Sequence, residues 1–239
     1  MARNPARKPK SARRSTHASA VGGAPASDRD KIIAALLALL ADKRIEQIGF
    51  AEIAETAGVS LSQLRGEFSS TLAMLAAYLK SVDRAVLAAD FADMAEEPER
   101  ERLFDVLMRR LETLGPHRQA VHSLIRSARR NPPLALALNG LAVRSQQWML
   151  TAAGIGASGP RGAMRAQGLA LLFASVLRTW VNDEDPGLAR TMAALDRALA
   201  RGQRFAGLLD DLCRAPARLC RLRPRRRHRD EDFEESAVA

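Results

Sequence analysis

Aromatic side chains are scarce in this 239-residue chain: Phe, Trp and Tyr together make up 4% of it, with a single tyrosine. Runs in which β-branched and polar residues alternate are missing as well, so nothing in the sequence predicts a sheet. Alanine and leucine fill the apolar positions, and the expected fold class is all-α. Cys213 and Cys220 are the only cysteines. Two thiols without clustered histidine cannot close a zinc site, and they read as reduced. Histidine is equally sparse, limited to His17, His117, His122 and His228. The spacing of His117 and His122 puts them on different sides of a helix rather than on one ligand face. With no phosphate-cradling glycine loop, nucleophile elbow or metal-ligand spacing, neither a catalytic residue, a metal site nor a cofactor is predicted. Asp183, Glu184 and Asp185 look like a metal cluster but read more simply as a solvated, helix-ending turn before Pro186. No apolar run reaches the ~20 residues that span a bilayer, so stable membrane insertion is not expected. The segment IIAALLALLA (32–41) follows basic residues as a signal segment would. Asp28 and Asp30 precede it, however, and no small-residue cleavage site follows, so it reads as a buried first helix.

The formal net charge is +10, and its placement matters more than its size. Residues 1–26 hold six Lys/Arg and no acid, while residues 214–239 hold eight Arg and five acids. Both segments read as disordered: a basic arm, and an Arg-rich tail that turns acidic from Asp230. Between them the chain divides into a segment 27–90 and a longer helical segment 91–213, joined near the polar run DMAEEPE. Residues 28–90 carry seven Lys/Arg against nine Asp/Glu. Phosphate binding is driven by cations, so a nucleic-acid contact by this segment would draw its long-range attraction from the tails.

The stretch FAEIAETAGVSLSQLRGEF (50–68) is the centre of the chain. Ile53, Ala54 and Ala57 recur at helical spacing, Gly58 supplies a sharp turn, and Val59 is an apolar plug. Ser60 with Gln63 three residues on forms a capping box that opens a second helix. Leu64 and Phe68 face inward from that helix, leaving Leu61, Ser62, Arg65 and Glu67 outside or at its margin. Two helices at a Gly-containing turn form a helix-turn-helix, whose second helix enters the DNA major groove. Around it the periodicity predicts a first helix from Ser27 or Asp28 to about Ala41, with Ile33, Leu36, Leu37 and Leu40 buried. Ile45, Ile48 and Phe50 carry apolar contacts into the turn. A helix capped by Ser69 or Ser70 runs to about Leu87 on Leu72, Leu75, Leu79, Val82 and Val86. Further helices are expected at 99–114 and from Pro116 to Arg130, the latter ended by Asn131-Pro132-Pro133. Three more follow at 134–155, 161–182 and 187–212. The last two are apolar over more than one face, and self-association would bury the excess.

Ile53-Ala54, Ala57-Gly58-Val59-Ser60, Leu64, Phe68, Ser70 and Leu75 give the region from Ile48 to Leu75 its resemblance to the DNA-binding region of the TetR family of bacterial regulators. The resemblance implies a three-helix reader and a C-terminal helical ligand-binding and dimerisation domain. It also implies a cytoplasmic homodimer that binds double-stranded DNA, as a repressor, through Ser60, Leu61, Ser62, Gln63, Arg65, Glu67 and Thr71. The chain departs from the family pattern where Gly-Thr is replaced by Ser62-Gln63, Tyr by Arg65, His by Glu67, and the phosphate-touching Lys by Thr71. Arg65 can contact phosphate or read a guanine edge, and Gln63 can pair with adenine. Glu67 repels phosphate unless it meets a cytosine amine. A small apolar ligand is expected in the C-terminal domain, lined by Leu107, Leu111, Leu124, Trp148, Met149, Phe173 and Leu177, with His122 as a polar handle. A second resemblance rests on Pro116-His117, Trp180, the Asp183/Asp185-Pro186 break and Leu195-Asp196-Arg197. These are similar to the COQ9 family, TetR-fold proteins that bind isoprenoid lipids and assist ubiquinone synthesis.

Overall fold

The computed structural model describes residues 27–89 and 96–220, with side chains to Arg204. The basic arm, residues 90–95 of the expected joint and residues 221–239 lie outside the described residues, as do the side chains of Phe205, Leu208, Cys213 and Cys220. Nine α-helices and no strand are present among the described residues. They are α1 (Asp28–Asp42), α2 (Phe50–Ala57), α3 (Leu61–Glu67), α4 (Thr71–Leu87), α5 (Glu99–Leu114), α6 (Arg118–Arg130), α7 (Pro132–Ala152), α8 (Gly159–Trp180) and α9 (Ala189–Cys220). Single 3₁₀ turns at Ile45–Gln47 and Gly115–His117 bridge α1 to α2 and α5 to α6.

Helices α1 to α3 pack as a small tripod whose core is Ile32, Leu36, Leu40, Ile53, Ala54, Leu64 and Phe68. Leu36, Leu37 and Leu40 of α1 are buried as expected, but the first core position is Ile32, and Ile33 is only half-buried. Phe50, expected inside, is 47% exposed because it opens α2 on the solvent side, and Ile53 three residues on takes the core position. At the end of α2, Gly58 adopts φ 66°, ψ 35°, and its N–H reaches back to the carbonyls of Ala54 and Glu55. A Cβ at Gly58 would meet nothing within 4 Å. Gly58→Ala should therefore cost only the left-handed backbone penalty, about 1–2 kcal/mol. Urea unfolding, with Gly58→Asn recovering part of the loss, measures it.

Ser70 caps α4 by accepting from the Ala73 N–H. Met74 and Tyr78 join Leu75, Val82 and Val86 on its buried face, while Leu72 and Leu79 are half-buried. The stripe is thus rotated toward α5 and α7. Helix α5 buries Leu103, Val106, Leu107, Leu111 and Leu114 as the periodicity predicts, and Arg110 with them. Asn131 and the two prolines open α7 instead of merely closing α6: the Asn131 side chain accepts from the Leu134 N–H, and the prolines take the first helical positions. Residues 214–220, expected in the tail, continue α9 in spite of Pro216, which lacks the backbone N–H a helix interior uses.

The turn from α8 to α9 is built rather than solvated. Asp183 is 1% exposed and accepts from the N–H and hydroxyl of Thr191 (2.8 and 2.6 Å). Asp185 accepts from the N–H groups of Gly187 and Ala189. Arg118 donates to the carbonyls of Trp180 and Asp183 and lies over the Trp180 ring, tying α6 to this turn. The Thr191 side-chain hydrogen bond, with support from backbone N–H groups, holds the Asp183 carboxyl below its ordinary pKa. Its stabilisation is complete above the unfolded value near ~3.9 and is lost as pH falls through the depressed folded value. Acid unfolding followed by circular dichroism should show Asp183→Asn less stable at pH 7, with a shallower loss below about pH 4.

Candidate nucleic-acid interface

The short helix α3 is seven residues long, too short to persist by intrinsic propensity, so its ends and its packing must hold it. The capping box is formed in both directions: the Gln63 N–H donates to Ser60 Oγ (3.1 Å), and the Ser60 N–H donates to Gln63 Oε1 (2.8 Å). Gln63 Nε2 also donates to Asp28 Oδ2 at 3.0 Å. Both ends of this amide are therefore committed, and its expected adenine contact would require breaking the return half of the box and the bond to Asp28. Leu64 and Phe68 anchor the inner face at 3% and 4% exposure.

Glu67 is met by Arg29, whose guanidinium lies 3.4 Å from the carboxylate and 4.5 Å from the centroid of the Phe68 ring. Both partners are close to half-exposed, so the pair adds little stability. Its consequence is electrostatic: the acid that would repel phosphate carries its own counter-charge. Lys31 pairs with Asp28 and Lys43 with Glu52 in the same way. Arg65 is the one cation within α3; it is exposed and held only by a 3.4 Å hydrogen bond to the Ser69 carbonyl. Leu61, at the helix start, is 55% exposed. Ser62 is exposed beside it, and Thr71 at the start of α4 is half-buried. The outward surface of α3 thus offers Leu61, Ser62 and Arg65, one apolar, one hydroxyl and one guanidinium group. Those groups match a thymine methyl, either base edge, and guanine or phosphate.

The eight expected pocket residues do not share one setting. Leu107, Leu111, Met149 and Phe173 are core at 0–4% exposure, and Leu124 and Leu177 pack half-buried against that core. His122 is half-buried, and Trp148 is 58% exposed on the outer side of α7, one position from buried Met149. Trp148 is therefore not a pocket wall here. Apolar periodicity cannot separate a core position from a pocket wall, and α7 has a single charged residue, Arg144, to mark an outer face.

What the apolar reading missed is a polar seam inside the same core. Asp83 of α4 pairs with Arg110 of α5, and Ser145 of α7 donates to the same carboxylate oxygen at 2.6 Å. The Arg110 guanidinium lies 5.7 Å from the Phe173 ring centroid. Tyr78 Oη, Arg110 Nε and Gln146 Oε1 are buried without a hydrogen-bond partner. Burial pushes the Tyr78 hydroxyl up to about 12, and the His117 ring packs perpendicular to the Tyr78 ring with centroids 5.3 Å apart. A signal for the seam was present: Arg110 sits inside the stripe Val106, Leu107, Leu111, Leu114, where a charge has to find a buried partner.

A three-helix tripod with a capped second helix, carried on a larger helical body, defines the fold of the helical helix-turn-helix regulators. The chain has the TetR fold. It is similar to the TetR transcriptional regulator from Nitrosomonas europaea, at 22% identity and a TM-score of 0.57, over 73% of this chain and 97% of that one. A TetR transcriptional regulator from Rhodococcus sp. matches at 21% identity and 0.53, over 73% and 95%. A third likeness, at 15% identity and 0.52, is to a TetR-family regulator from Syntrophomonas wolfei, over 75% and 94%. No family model and no curated protein matches the sequence. Among the described residues no helix is long and apolar enough to cross a membrane, and no group of three or more His, Cys, Asp or Glu is placed to hold a metal ion.

Proposed function

We propose that the chain is a DNA-binding transcriptional regulator, a repressor that acts as a homodimer, with α3 as its reading helix. The observation that carries this reading is the doubly formed Ser60–Gln63 box, which fixes a seven-residue helix with Leu61, Ser62 and Arg65 turned to solvent. An isolated helix of that length is marginal, and holding it with a reciprocal cap plus a long-range amide to Asp28 suits a helix whose outer face has work to do. Leu171 and Met164 on α8 are 61% and 53% exposed and lie seven residues apart on one face. They support a partner surface on α8, as in a two-fold dimer. Leu171→Glu should shift sedimentation from dimer to monomer while leaving the helical circular-dichroism signal unchanged.

A small apolar ligand would enter the body where Leu107, Leu111 and Met149 now fill the space, and the seam around Arg110 supplies polar contacts there. Ligand and DNA affinities would then be reciprocally coupled. The test of the DNA reading is fluorescence anisotropy of full-length protein on fragments of its own genome at two salt concentrations. Sequence-preferring binding that survives the higher salt supports a regulator. Binding that vanishes with salt, or ignores sequence, belongs to the basic ends and sinks the reading. Isoprenoid lipid co-purifying with a chain of that kind would favour the lipid-handling family instead.

A further inference from the structure

At the end of α1 opposite to the reading helix, a cleft of ≈440 Å³ is lined by Asp42, Arg44, Gln47, Arg126, Arg129 and Arg130. Three of its arginines stand on α6 at helical spacing, so they share one face, and the fourth enters from the loop after α1. Arg126, Arg129 and Arg130 make no ion pair or hydrogen bond among the described residues. Asp42 is the only acid lining the cleft, and Glu46 lies beside Arg44, so positive charge is in excess either way. Three cations of the reader, Arg29, Lys31 and Lys43, by contrast each have a carboxylate. The cleft is no part of the DNA-reading face. Asp28 and Arg29 at the start of α1 hold α3, whereas Asp42 lies roughly 21 Å further along the helix axis.

We propose that this cleft binds a soluble small molecule bearing a di- or polyphosphate group. Guanidinium groups pair with phosphate oxygens through parallel, charge-assisted hydrogen bonds, and converging arginines suit an anion of several charges better than a single carboxylate. The volume falls within the range of small-molecule sites. The bound anion would bridge the loop that leaves α1 and the last turn of α6, in line with the Ser123 hydroxyl that already donates to the Lys43 carbonyl (2.7 Å). A regulatory effect of that bridge rests on the DNA-binding reading; the binding itself does not.

The test is isothermal titration of the full-length protein with inorganic pyrophosphate, beside sulfate at matched ionic strength. One saturable site per chain is expected, about tenfold weaker in Arg129→Gln and about a hundredfold weaker in Arg126→Gln/Arg129→Gln. Both arginines are exposed, and an unchanged thermal melt establishes that the variants are folded. Pyrophosphate binding that survives both substitutions belongs to the arginine-rich ends and overturns the site. Binding no tighter than sulfate overturns it too, as does binding to anionic phospholipid vesicles without binding to pyrophosphate. None of these readouts involves DNA, so their failure leaves the regulator reading untouched.

Discussion

Asp83→Ala is expected to destabilise the folded chain by about 3–5 kcal/mol, because it leaves the Arg110 guanidinium charged and unpaired in the core. For a chain of this size that lowers the melting temperature by roughly 6–20 °C. Arg110 is 3% exposed and already carries one unpartnered nitrogen, so no water replaces the lost carboxylate. The Ser145 hydroxyl loses its acceptor at the same time. The magnitude belongs to the orphaned charge and not to the pair: Asp83→Leu combined with Arg110→Met should recover most of the loss, since an apolar pair of similar volume avoids the desolvation cost. Thermal and urea unfolding of the two single variants and the double variant measure the coupling. Additive losses would mean that the pair is not a unit. Because the pair ties α4, which follows the reading helix, to α5 and α7, the same variants report how firmly the reader is fixed to the body.

Arg65→Ala is expected to weaken DNA binding by roughly 5- to 150-fold, the equivalent of about 1–3 kcal/mol. Arg65 is the one cation of α3, and a single hydrogen bond to the Ser69 carbonyl restrains it, so it is available to DNA at little cost. Two outcomes separate its roles. A guanine reader loses preference at one base position. A phosphate contact loses affinity evenly across sequences and reduces the salt slope by about one. Gln63→Ala acts differently: it removes the return half of the box, the Ser60 N–H to Gln63 Oε1 bond, together with the Asp28 link, while the backbone N–H bond to Ser60 Oγ remains, so its effect on DNA arrives with a loss of stability of about 1 kcal/mol.

The parts legible in the sequence were those fixed by near neighbours. Gly58, the Ser60–Gln63 box, the Ser70 cap and the buried stripe of α5 all depend on residues within a turn or two of one another. Phe50 misled because a large apolar side chain beside a motif reads as core, whereas its place at the start of α2 turns it outward. Asn131-Pro132-Pro133 acts as a stop and a start at once: α6 ends at Arg130 as expected, and the Asn131 side chain caps α7, which begins at Pro132. The commitment of Gln63 to Asp28, and of Glu67 to Arg29, joins residues more than thirty positions apart, which no local pattern records. Asp183 looked like a solvated turn because its acceptor duty toward Thr191 is visible only once α9 has turned back.

The most direct test of the central claim, that α3 reads DNA sequence from a two-fold dimer, is selection of duplexes from a random library by the full-length protein at near-physiological salt. The account predicts enrichment of a symmetric motif whose half-sites lie about one helical turn, or a multiple of it, apart. It also predicts that Arg65→Ala weakens or alters that enrichment. Retention of DNA without any enriched motif would contradict it and assign the binding to the arginine-rich ends alone.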